Sequence, residues 1–184
     1  MKKSVKLLRT IALDASDTFV FDVPAEAGEW AVSGTFRFCD HDPAKLSGKA
    51  RAAFRSGFLG VQSWGWSTLA QIVPATENDC RALIELLAAQ LLDRFGAPDI
   101  AVARTAAEEE VAFAQSLCTH PISSLIAVQR MASGGEIRES FRRLQLRERQ
   151  EGHGRAFSFM EMEDDLEPDG DLNLADLGRE PRLR

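Results

Sequence analysis

The strongest constraint on this chain lies between Glu77 and Phe95, where Leu83, Ile84, Leu87, Leu91 and Phe95 recur at the spacing of one helical face. Both ends are signposted. Thr76 with Asp79 three residues later resembles a capping box, and Gly96 and Pro98 supply the stop. A helix with one apolar stripe has to cover another apolar surface, and the flanking segments read mainly as strands.

The stretch from Lys6 to Asp22 reads as a hairpin, with strands at Leu7–Leu13 and Thr18–Phe21 around turn residues Asp14–Asp17. A third strand is expected over Trp30–Phe38, with Gly34 marking a bulge. Ser47–Arg55 reads as a short basic helix ending near Gly57. Phe58–Val73 returns to β-favouring residues with bends at Gly60 and Gly65. Beyond the long helix, the pattern predicts a short strand at Ile100–Ala103. A second helix follows, capped by Thr105 and Glu108 and ending near Cys118, because the residue before Pro121 avoids helical geometry.

Ile122–Met131 reads as a strand and Ser133-Gly134-Gly135 as the turn after it. Glu136–Arg149 fits either a helix or a β-meander, and Arg155–Met162 fits a last strand. This order predicts an α+β fold: a mixed, mostly antiparallel sheet with two to four helices packed mainly on one face. Residues 1–162 are expected to form a single globular domain. Residues 163–184 are rich in Asp, Glu, Pro and Gly, the composition of an acidic, mobile tail.

Composition narrows the function classes. A formal net charge of −6 argues against coating nucleic acid, which depends on Lys and Arg displacing phosphate counterions. No apolar run reaches the roughly 18 residues a membrane span needs, so no membrane partner is expected. The basic start, Lys2-Lys3 to Lys6, is followed by Arg9 and Asp14 where a secretory signal would be apolar. Three cysteines, an odd number without paired spacing, suit reduced thiols, and the expected location is the cytoplasm.

Candidate chemistry gathers at two Cys-x-His pairs, Cys39/His41 and Cys118/His120. Together they would supply two sulfurs and two nitrogens, the tetrahedral set that zinc favours in structural or hydrolytic sites. The competing structural reading makes the cysteines small buried hydrophobes and His41-Asp42-Pro43 a turn. A nucleophilic Cys39–His41–Asp42 arrangement is disfavoured, since neighbours on an extended chain point to opposite faces. Arg138, Arg142 and Arg143 follow Gly134-Gly135 and would form an anion site if that segment were helical. On a helix, pairs such as Glu139 with Arg143 would explain the same charges without a ligand.

Phe58, Trp64 and Trp66 cluster around glycine bends and are candidates for a partner-binding surface if exposed. In the tail, Leu172, Leu174 and Leu177 stand among acids, a pattern able to dock into a groove on a partner or on the chain's own body. Asp169-Gly170-Asp171 has the look of a calcium loop, but Leu174 stands where that loop requires glycine.

The run Glu29-Trp30-Ala31-Val32-Ser33-Gly34-Thr35-Phe36, followed by Gly57-Phe58-Leu59-Gly60 and Trp66-Ser67-Thr68-Leu69, resembles a family of small bacterial proteins that constitute a domain of unknown function. The resemblance covers the first third to half of the chain and implies no activity, cofactor or site residue. The expectation from the residues is a non-enzymatic cytoplasmic binding or accessory protein, working through contacts with a protein partner or by self-association and needing no cofactor. The alternative is a zinc protein built on the Cys-x-His pairs.

Overall fold

The computed structural model describes residues 5–13, 15, 19–146 and 159–165. Eight strands form one sheet: β1 (Val5–Ile11), β2 (Trp30–Val32), β3 (Phe58–Gly60), β4 (Trp66–Ser67), β5 (Leu69–Ala75), β6 (Leu125–Ser133), β7 (Glu136–Leu146) and β8 (Phe159–Asp165). Their order across the sheet is β4-β3-β2-β1-β5-β6-β7-β8, and every neighbouring pair is antiparallel. Three helices accompany it: α1 (Gly48–Ser56), α2 (Glu77–Arg94) and α3 (Ile100–Ser116). The architecture is the expected α+β class with a largely antiparallel sheet.

The sheet is strongly curled. Phe58 on β3 and Phe141 on β7 sit five strand spacings apart in the sheet order, about 24 Å if the sheet were flat. Their ring centroids are 6.2 Å apart, so the sheet bends into a half-barrel whose concave face holds the core. Phe113 of α3 packs edge-on against Phe141 at 5.7 Å, and carbonyls at the end of α1 reach Arg130 of β6. α1 and α3 therefore fill the concavity. α2 packs on α3 and buries Leu83, Leu87 and Leu91, and burial of each such side chain contributes roughly 1.5–3 kcal/mol. A bidentate pair from Arg104 to Glu85 links the exposed flanks of the two helices.

α2 forms where its apolar stripe placed it, and the capping box is complete. Thr76 Oγ1 accepts from the Asp79 N–H at 3.1 Å, and the Asp79 carboxylate accepts from the Thr76 N–H at 2.8 Å. Ile100–Ala103 is not a strand. Gly96, with φ +81°, reverses the chain out of α2, and Asp99 accepts from the Val102 N–H at 2.9 Å, so α3 begins at Ile100 rather than near Thr105.

Two further expectations change at the N-terminal end. The strand expected after the first turn does not pair with β1, whose neighbours are β2 and β5; Phe19–Asp22 runs through turns that bury Phe21. The strand from Trp30 stops at Val32, because Gly34 takes φ +77° and starts a 3-10 turn over Thr35–Phe38. Glycine is required there, as a Cβ would lie 2.5 Å from that of Leu59.

The ambiguous stretch from Glu136 is a strand. Gly134 and Gly135 have φ +61° and +84°, the two positive values a tight two-residue hairpin turn demands, and β6 and β7 zip back from it in regular register. The last strand runs through Asp165. Residues 166–184, most of the segment read as a tail, lie outside the described residues, as do the calcium-like loop and Leu172–Leu177. No described helix is long and apolar enough to cross a membrane.

Candidate functional site: a buried polar node beneath an apolar groove

The tight turn at Gly134-Gly135 makes Arg130 and Glu139 direct cross-strand partners on the concave face. Arg130 is 1% exposed, and each of its guanidinium nitrogens donates. Nε donates to Glu139 Oε1 and to Thr35 Oγ1, both at 2.7 Å. One terminal nitrogen donates to the carbonyls of Gly57 at 2.7 Å and Phe54 at 3.2 Å, and the other to Ser33 O and Oγ. A single side chain thus joins the β6–β7 hairpin to the turn after β2 and to the end of α1.

Glu139 Oε1 also accepts from Ser33 Oγ at 2.6 Å and from Thr35 Oγ1. A third ionisable group completes the node. Glu110 of α3, half-buried, accepts from the Gly34 N–H at 2.9 Å. Burial pushes its carboxyl above the ordinary range and Glu139 adds to that push, against the Gly34 N–H and Arg130. Burial works against the charge on Arg130, and Glu139 supports it.

Directly above the node the surface opens into an apolar groove of about 470 Å³, within the range of ligand-binding clefts. Leu91 comes from α2 and Phe95 from its C-cap, Gly96–Pro98 from the helix-to-helix turn, Val102, Ala103 and Ala106 from α3, and Phe36 from the 3-10 turn, with Glu109 and Glu110 also in the lining. Phe95 and Val102 remain 42% and 49% exposed, unusual for large apolar side chains that share one concavity. Phe36 meets Phe95 edge-on at 5.1 Å and Trp64 at 6.0 Å, so the groove wall is buttressed by the aromatic core. A second depression, beside Pro24 and Trp66, has a volume of only about 10 Å³, room for one water.

The residues singled out from sequence lie elsewhere. Phe58, Trp64 and Trp66 are buried, so they do not present the contact surface expected of them. Phe38 stacks on Trp66 at 5.1 Å, and Trp64 supports Phe36 from behind. The glycine bends turn these rings inward, with Gly57 and Gly34 leaving room for Trp66. Arg138 and Arg142 occupy one face of β7 and Arg143 the other, beside Ile126, so no three-arginine cradle forms and there is no helix terminus to assist it.

The two Cys-x-His pairs, Cys39/His41 and Cys118/His120, do not combine into the four-ligand set that zinc would need. Among the described residues no group of three or more His, Cys, Asp or Glu side chains could hold a metal ion. The reason is where the fold puts each pair. Cys39 and His41 are exposed after the 3-10 turn, whereas Cys118 is buried at the end of α3, with Sγ directed at Ala114 O. His120 lies half-buried two residues further on, beside β1, where its backbone carbonyl accepts from Lys6 Nζ at 2.7 Å. Burial pushes the Cys118 thiol up to about 12, far from the thiolate that zinc binds.

Sequence reasoning missed Arg130, Glu139 and Glu110. The signal lay in the Gly-Gly turn, which fixes the Arg130–Glu139 pairing once both flanks are strands, and in an arginine interrupting an apolar strand run.

Comparison with curated proteins gives no match, and comparison with solved structures gives none. A family model matches residues 5–156, a span that contains the whole node and the whole groove. The chain belongs to DUF6505, a family of unknown function.

Proposed function

We propose that the protein is a non-enzymatic binding or accessory module whose groove between α2, α3 and the 3-10 turn seats an amphipathic segment of a protein partner. The observation that carries this reading is the placement of Phe95, at the C-cap of α2, and Val102, on α3, both exposed around one concavity with Phe36. Apolar surface left open in this way is the feature of a helix-in-groove interface. The lining contains carboxylates but neither a histidine nor a nucleophilic side chain, which favours recognition over chemistry.

The groove is also rigidly founded. Glu110 ties α3 to Gly34, two residues before Phe36, and the Arg130 node fixes the turn that bears both. Free cysteines and the acidic charge suit a cytoplasmic setting without nucleic-acid contacts.

The test is titration of the isotope-labelled chain with a short helical peptide carrying two leucines one turn apart, an aspartate before them and an arginine after them. Saturable shifts of the Phe95, Val102 and Ala106 resonances are expected. Shifts spread evenly over the surface, or none, contradict the reading.

A further inference from the structure

We propose that the partner segment seated in the groove carries a cationic side chain, lysine or arginine, on the same face as its apolar anchors and one helical turn beyond them, where it pairs with Glu110. The proposal rests on the groove being a binding surface and adds the chemistry that selects its occupant.

The lining is charged with one sign only. Glu109 and Glu110 belong to it, and among the described residues no lysine, arginine or histidine does. An occupant that placed a carboxylate there would meet like charge, and a wholly apolar one would strip water from the two carboxylates without replacing it. A cation avoids both costs.

Of the two acids, Glu110 is the one short of a counter-charge. It is half-buried, whereas Glu109 is exposed. One Glu110 oxygen accepts from the Gly34 N–H at 2.9 Å, and the other has no hydrogen-bond partner among the described residues. Neither acid forms an ion pair there. Arg130, the cation of the node beneath, is committed elsewhere. Its Nε donates to Glu139 and Thr35, one terminal nitrogen to the carbonyls of Gly57 and Phe54, and the other to Ser33. Burial and the neighbouring charge of Glu139 hold the Glu110 carboxyl above the ordinary range, and Arg130 offsets this only in part.

Helix geometry sets the spacing. Val102, Ala106 and Glu110 stand four residues apart on α3 and form one ridge along the groove. Val102 and Ala106 are exposed apolar positions, and Glu110 follows one turn later, about 12 Å from Val102 along the helix axis. A helical segment lying along this ridge, with apolar anchors over Val102 and Ala106, sets the residue one turn beyond its second anchor over Glu110. Glu109 adds attraction from the exposed side.

The test is calorimetric titration of the full chain with the two-leucine peptide and three versions of it. In one the arginine is replaced by glutamine, in another by glutamate, and in the third it is moved to the opposite helical face at unchanged net charge. The parent peptide should bind about tenfold tighter than the glutamine and displaced-arginine versions, with the glutamate version weaker still. In E110Q, which keeps an acceptor for the Gly34 N–H, the parent and glutamine peptides should bind within about twofold of each other. E109Q should retain most of the preference, as Glu109 is exposed.

Equal affinity of all four peptides for the unaltered chain overturns the proposal and leaves the groove reading standing. So does an arginine preference that survives in E110Q or that the displaced arginine reproduces, which would be general attraction to a chain of net charge −6. Binding by none of the peptides overturns the groove reading, and this proposal falls with it.

Discussion

Arg130 and Glu139 face each other across the β6–β7 hairpin with Nε 2.7 Å from Oε1, and the pair closes the half-barrel by bonding Thr35 from the far side of the sheet. Glu139 is 14% exposed and Arg130 not at all at the side chain, so the pair is screened from water. Removing one member leaves the other buried without its counter-charge, which costs roughly 3–5 kcal/mol. E139Q is expected to fall in that range in urea unfolding. R130K should cost a similar amount, because an ammonium cannot reach Gly57, Ser33 and Glu139 together. A loss under about 1 kcal/mol in both variants would show that the node does not brace the fold.

Glu110 provides a pH signature. Its carboxyl is raised by burial, so between the ordinary carboxylate range and the folded value the folded state holds a proton that the unfolded chain releases. Stability contributed by this group is therefore lost as pH rises through that window. E110Q keeps an acceptor for the Gly34 N–H and removes the titration. It should be more stable than the unaltered chain at neutral pH, with the difference shrinking on acidification. A variant less stable at neutral pH than in acid, relative to the unaltered chain, would contradict this assignment.

The three cysteines should react very differently. Cys39 is exposed, whereas Cys80 and Cys118 are buried, with burial raising both thiols and Cys118 reaching about 12. A thiol-disulfide reagent at neutral pH should therefore modify one cysteine rapidly in the native state and all three after denaturation. Fast modification of Cys118 in the native state would mean that the end of α3 opens far more readily than its packing implies.

Legibility in the sequence followed the range of the interactions involved. The helix at Glu77–Arg94 was readable because its stripe, capping box and stop residues are all local. The Gly134-Gly135 turn was readable for the same reason, yet residues after it stayed ambiguous, since Ile137, Phe141 and Leu144 suit a helix as well as a strand. Asp99 was overlooked as a cap because the apolar Ile100–Val102 run resembles a strand until the cap is recognised.

The candidate site was largely hidden because it is assembled by curvature. Ser33 and Glu139 are separated by 106 residues and by four strand spacings, and nothing local announces their contact. Trp64 and Trp66 misled for a related reason: aromatic residues beside glycines serve surfaces and cores alike, and only the fold of the flanking strands turns these two inward. The matching Cys-x-His spacings misled too, since equal spacing along the chain says nothing of whether His41, after a 3-10 turn, and His120, after α3, meet in space.

The central claim is that the groove binds a partner segment, and filling it tests that claim most directly. Ala106 is exposed within the groove, so A106W occupies the trough without entering the core. Calorimetric titration of the two-leucine peptide should show affinity reduced at least about tenfold in A106W, with urea stability changed by less than about 0.5 kcal/mol, as for an ordinary surface substitution. Unchanged affinity in a folded A106W chain would place the binding surface elsewhere and contradict the account.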